Sequence, residues 1–144
     1  MSQIDVATGL VTYTINGNCE ISFNPADADF AGRVVGAFEK INDICRKTKL
    51  DPERSVPEFM TTTSKLDTEI RQEIDLLFGE PVCEKVFGRT NVISLANGLP
   101  IWANFLMAII DEMDRAITAE KKQASPRAKH YIDKYEKKYG KKKK

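Results

Sequence analysis

From Phe30 onward the apolar residues of this chain return every three or four positions, in runs separated by Pro and Gly. Only a largely helical fold buries such a pattern on one side of each segment. Phe30, Val34, Ala37, Phe38, Ile41, Ile44 and Cys45 mark one stripe. Leu66, Ile70, Ile74, Leu77 and Phe78 mark a second, and Trp102, Phe105, Leu106, Ile109, Ile110, Met113, Ala116 and Ile117 a third. Strand-type alternation is confined to residues near 10–23, where two alternating runs flank Asn16-Gly17, a two-residue hairpin signal. The expected architecture is mainly α, with about five helices around a central apolar helix, an N-terminal β-hairpin and a basic C-terminal helical arm. A lone hairpin is marginal in water, so this one must pack on the helices or pair with another subunit's strand.

Element boundaries follow from caps and breakers. Asn24-Pro25-Ala26-Asp27 supplies an N-cap, a proline at the first helical position and an acidic first turn. Arg46, Lys47 and Lys49 suit the negative end of that helix, and Asp51-Pro52 stops it. Gly32 and Gly36 stand four apart on it, a spacing that permits close approach of another backbone. Residues 51–63, with two prolines and a threonine run, read as a connector, and Ser64-Lys65-Leu66-Asp67 as the capping box of the next helix. Gly79 ends that helix as a left-handed cap, Pro81 starts a short helix through Phe87, and Gly88 ends it in the same manner. Residues 89–98 read as a loop, and Pro100 opens the central helix. Ser125-Pro126-Arg127 starts the last one, whose stripe is Ala128, Tyr131, Ile132, Tyr135 and Tyr139.

The near-neutral total of 22 Lys+Arg against 21 Asp+Glu conceals two opposite objects. Residues 121–144 hold eleven basic and two acidic side chains, net +9; residues 1–120 hold eleven basic and nineteen acidic, net −8. An acidic helical body therefore carries a basic arm ending in Lys141, Lys142, Lys143 and Lys144, a division that speaks to partners and solubility and not to fold. It fits an arm that grips a polyanion or an acidic protein surface, and equally a solvated tail. Cys19, Cys45 and Cys83 are odd in number, widely spaced and set in apolar segments, as reduced core thiols of a cytosolic protein would be. The first residues show no basic stretch followed by an apolar run, so no secretory signal is expected. Residues 99–110 are the most apolar stretch, yet too short to span a bilayer and followed at once by Asp111, Glu112 and Asp114.

Catalytic machinery is not visible. The single histidine, His130, sits in the basic arm beside Lys129 with no second ligand at metal-binding spacing. There is no glycine-rich phosphate loop, nucleophile elbow or Cys-x-x-Cys pair. The carboxylates Asp67, Glu69, Glu73, Asp75, Glu80 and Glu84 fit solvent-facing helix surfaces without a histidine or basic partner in a cleft. Neither cofactor nor metal is expected, and a non-enzymatic role is. What remains are surfaces. Tyr131, Tyr135 and Tyr139 recur every four residues among Arg127, Lys129, Lys134, Lys137 and Lys138. Such a face stacks on bases while its lysines meet phosphates, or docks on a protein groove or on the acidic body of another copy. Regular tyrosine spacing is what a packing face needs, so we place partner binding on Tyr131, Tyr135, Tyr139, Arg127, Lys134 and Lys138. Nucleic-acid binding through Lys141, Lys142, Lys143 and Lys144 is the alternative.

The order of these elements resembles a known family. A small β element precedes a long first helix and an acidic helix ending Ile70-x-x-x-Ile74-Asp75-x-x-Phe78-Gly79. The short Cys83-x-x-x-Phe87-Gly88 element, an apolar helix through Trp102-x-x-Phe105 and a Lys/Tyr-rich end follow. From about residue 25 to 139 this resembles the small tail assembly chaperones of long-tailed bacteriophages of Gram-positive hosts. The resemblance implies a self-associating protein of the host cytoplasm that coats the helical tape-measure protein, recruits tail-tube subunits and leaves before the virion is complete. It brings no catalytic residues. In that family the gene typically ends near a programmed ribosomal frameshift, and a lysine run is compatible with A-rich slippery codons.

Overall fold

Strand alternation and helical periodicity divide the chain where the pattern changes. In the computed structural model, which describes residues 1–48, 55–123 and 126–139, strands β1 (Val11–Ile15) and β2 (Cys19–Phe23) precede helices α1 (Ala28–Lys47), α2 (Val56–Phe78) and α3 (Val82–Phe87). A second small hairpin, β3 (Leu95–Ala96) and β4 (Leu99–Pro100), leads into α4 (Ile101–Lys122), and α5 (Pro126–Tyr139) follows. The described residues are thus mainly helical, with five helices and an N-terminal antiparallel hairpin.

The three apolar stripes converge. Phe30, Val34 and Ile41 of α1, Leu66, Ile70 and Ile74 of α2, and Trp102, Phe105, Leu106, Ile109 and Met113 of α4 form one buried cluster. Helix α1 packs on both α2 and α4. The hairpin joins the core through Ile21 and Phe23, while Thr12 and Ser22 face solvent and share a 2.7 Å hydroxyl hydrogen bond. An aromatic chain fastens it: Tyr13 stacks on Phe23 at 4.9 Å, and Phe23 and Phe30 both meet Phe78 edge-on, at 5.9 and 5.5 Å. Phe78 and Phe87 each reach Phe105, so the residues preceding the two stop glycines are anchors of the core. Such pairs add about 0.5–1.5 kcal/mol each beyond the area they bury.

Several boundaries differ from expectation, each for a local reason. The first hairpin turn is longer than two residues: Asn16 and Gly17 have positive φ and Asn18 N–H donates to Ile15 O, but the ladder closes at Ile15↔Cys19, leaving Asn18 as an extra residue. The cap of α1 is Asp27, whose carboxylate accepts from Asp29 N–H. Asn24 instead accepts from Ala26 N–H and donates to Thr8 O, tying down the exposed residues 1–10. Helix α2 begins nine residues earlier than the capping-box reading: Ser55 is the N-cap and Pro57 lies in the first turn. The threonine run is helical, and Thr61 and Thr63 satisfy their hydroxyls within the helix by donating to Pro57 O and Met60 O. Gly79 is a left-handed cap (φ 70°, ψ 17°), whereas Gly88 adopts φ 58°, ψ −128°, so the two stops are different devices. A Cβ at Gly32 or Gly36 meets nothing within 4 Å, so no backbone of the described residues approaches there. Residues 89–98 are not wholly loop: Asn97 and Gly98, both with positive φ, close the β3–β4 turn. Lys49, Asp51, Pro52 and Ser125 lie outside the described residues.

Candidate docking surfaces

Where the hairpin leans on the body it leaves a groove of about 590 Å³. Tyr13 and Ile15 of β1 form one wall, Val86 and Phe87 of α3 the second, and α4 supplies the floor with Ile101, Asn104, Phe105 and Ala108. The floor exists because α4 turns Phe105 and Ile109 inward against the core while the intervening Ala108 is small and exposed. Asn104 is held by donating to Ala96 O at 2.9 Å, which also ties β3 to α4.

One end of the groove is charged. Tyr13 Oη donates to Glu112 Oε2 at 2.6 Å, and Arg115 donates to both Glu112 oxygens. Burial, reinforced by the hydrogen bond and charge of Glu112, pushes the Tyr13 phenol up to about 12. The Tyr13 hydrogen bond, then that of Arg115, holds Glu112 below its ordinary range, so it is ionised at neutral pH. Asp111 and Asp114 are exposed on the same helix.

The far wall is set by a half-buried polar clamp that the helical pattern of α2 does not reveal. Asp67 accepts from Val92 N–H at 2.8 Å and from Arg71 Nε, and Arg71 Nη2 donates to Gly88 O and Thr90 O, both at 2.8 Å. Asp75 accepts from Cys83 N–H at 2.9 Å and so serves the first turn of α3, which has no side-chain cap of its own. Helix α4 likewise lacks a side-chain cap, and its Ile101 and Trp102 N–H groups donate to Ser94 O and Val92 O. The carboxylates of this region are therefore not a plain solvent-facing surface. Asp67 pairs with Arg71, Glu73 with Lys40 of α1 at 3.0 Å, and Glu80 with Lys85. Glu84 alone of the six is exposed, and the other five are half-buried.

Helix α5 gives no residue to the core cluster, and its described side chains are all exposed. Tyr131, Ile132 and Tyr135 are 53%, 58% and 62% exposed, an apolar surface unusual for side chains of that size. Tyr131, Lys134, Tyr135 and Lys138 are spaced three or four apart and share one side of the helix. His130 meets Tyr131 edge-on at 5.8 Å. The side chains of Arg127 and Tyr139, and residues Lys141, Lys142, Lys143 and Lys144, lie outside the described residues.

The three cysteines are free thiols, Cys83 buried and Cys19 and Cys45 half-buried. Burial, and then the nearby Asp75 carboxylate, raises the Cys83 thiol far above its ordinary range. Burial also raises Cys45, opposed by the indole of Trp102. Trp102 Nε1 is buried without an acceptor of normal geometry, and a thiol beside it is only a weak one. Among the described residues no group of three or more His, Cys, Asp or Glu is arranged to hold a metal ion, and no helix is long and apolar enough to cross a membrane. Comparison with protein-family models, curated proteins and solved structures finds no match to this chain.

Proposed function

We propose that this chain is a non-enzymatic assembly chaperone of the kind it resembles. It associates with itself and binds the helical tape-measure protein and tail-tube subunits during phage tail morphogenesis in the host cytoplasm. The observation that supports a protein-binding role is α5: an amphipathic helix whose tyrosines and isoleucine are exposed instead of buried in the chain's own core. Exposed aromatic stripes with flanking cations are what helix-in-groove recognition uses. A tape-measure protein, being a long helix, presents complementary ridges along its length.

Pull-down of the tape-measure protein by the full chain tests this. Tyr131→Ala with Tyr135→Ala abolishes capture, while deletion of Lys141, Lys142, Lys143 and Lys144 leaves it intact. The second reading, nucleic-acid binding, is favoured by the +9 of residues 121–144. It requires affinity that falls steeply with salt and a slope that drops when the four lysines are deleted. Loss of capture only in the lysine deletion, with tight DNA or RNA binding by the intact chain, decides for that reading.

A further inference from the structure

The groove and the arm answer one another. The groove has apolar walls, a small residue at its floor and one carboxylate, Glu112, at its end. One side of α5 carries Tyr131 and Tyr135, with Lys134 and Lys138 interleaved. Apolar side chains would fill the channel past Ala108, while a lysine meets Glu112, the carboxylate that lines the groove and that Arg115 pairs within α4. The body's net −8 against the arm's +9 gives the same sign of attraction at long range.

Helix length decides whose arm can enter. Helix α4 has 22 residues and α5 has 14, about 33 and 21 Å at the α-helical rise. An arm folded back along its own α4 brings Tyr135 level with Met113, since each stands nine residues from the adjoining helix end. Its tyrosine pair therefore reaches only the Glu112 end of the groove and falls short of the floor at Ile101, Asn104, Phe105 and Ala108. A second copy has no such tether.

We propose that the groove between β1, α3 and α4 is the seat of α5 from a second copy of this chain. The inference deepens the reading of the protein as a self-associating binder and specifies the contact through which copies join. The interface is heterologous, one copy giving an arm and the other a groove, so it propagates into larger assemblies unless it closes on itself.

The test uses full-length protein and sedimentation velocity. Ala108→Lys places length and positive charge in the groove at an exposed helical position that the core does not use; Thr90→Lys does so from the other wall. Each is expected to weaken association about tenfold or more, as is Tyr131→Ala with Tyr135→Ala, since buried aromatic anchors carry most interface energy. Circular dichroism checks that each variant keeps its helical signal. Mixing Ala108→Lys with the double tyrosine variant should restore a one-to-one pair that grows no further, because the only intact arm meets the only intact groove. A wild-type chain that stays monomeric on the order of tens of micromolar at low salt overturns the proposal. So does a mixture that stays monomeric, or groove variants that associate normally. Tape-measure capture, measured in parallel, separates this from the functional reading. Groove variants that lose capture but still self-associate give the groove to the client and overturn the proposal. Normal self-association through the groove without capture by the wild type leaves the proposal standing and sinks the client.

Discussion

Asp67→Ala should destabilise the fold more than any other single carboxylate change on α2, because its Oδ1 accepts from Val92 N–H and its carboxylate pairs with Arg71, which in turn donates to Gly88 O and Thr90 O in the segment that joins α3 to α4. Removal leaves the Val92 N–H, 2.8 Å from Oδ1 and attached to a residue with no exposed surface, without an acceptor. An orphaned buried donor costs about 1–3 kcal/mol. The Asp67–Arg71 pair is lost as well; its side chains are only 19% and 21% exposed, so it lies between surface and buried cases and contributes about 1 kcal/mol. The sum is about 2–4 kcal/mol, whereas Asp67→Asn, which keeps an acceptor oxygen, costs about 1 kcal/mol. Urea unfolding followed by far-ultraviolet circular dichroism should show a midpoint lowered by about 1 M or more with an unchanged m-value. Unfolding within about 0.5 kcal/mol of wild type, the range of an ordinary surface change, would refute the clamp.

Further outcomes are expected. Tyr13 titrates late, so the folded pKa lies above the unfolded value near 10; its contribution is complete below that pH and is lost as pH rises towards about 12. Glu112 is lowered, so its contribution is present above the ordinary carboxylate range and is lost as pH falls below that range through the depressed folded value. Tyr13→Phe should cost about 1 kcal/mol and remove the latest tyrosinate from an absorbance titration. Gly32→Ala and Gly36→Ala, at exposed helical positions with free space, should each raise stability by about 0.5–1 kcal/mol in the same unfolding assay. Gly88→Ala, forced to φ 58° and ψ −128°, should lower it by about 1–3 kcal/mol. Cys83, buried and with its thiol held protonated, should resist alkylation in native protein while Cys19 reacts, as peptide mapping would report.

The helices were legible because their signal is local. Phe30 to Ile41 and Trp102 to Met113 keep helical spacing, and most of the residues so marked are buried, with Phe38 and Ile110 half-buried against them. The start of α2 was hidden because prolines and threonines carry the statistics of a connector; only the Ser55–Glu58 capping bond and the hydroxyl-to-carbonyl bonds of Thr61 and Thr63 show why a helix tolerates them. The roles of Asp67 and Asp75 were illegible for a different reason. Periodicity places a residue on a side of its helix but does not say what packs there, and their partners, Val92 and Cys83, lie 25 and 8 residues away. The groove is less local still, since β1 and α4 meet through Tyr13 and Glu112 across 99 residues. The tyrosine stripe, by contrast, was visible at once, and α5 leaves Tyr131 and Tyr135 exposed.

The central claim is that the arm docks on protein through its tyrosines and not on polyanions through its terminal lysines. Sedimentation velocity of three full-length proteins at low and high salt tests it most directly: wild type, Tyr131→Ala with Tyr135→Ala, and the chain lacking Lys141, Lys142, Lys143 and Lys144. Wild type and the lysine deletion should form oligomers that shrink as salt screens the exposed charges, and the tyrosine variant should stay monomeric. Oligomers that survive loss of the tyrosines but vanish with the four lysines would contradict the claim.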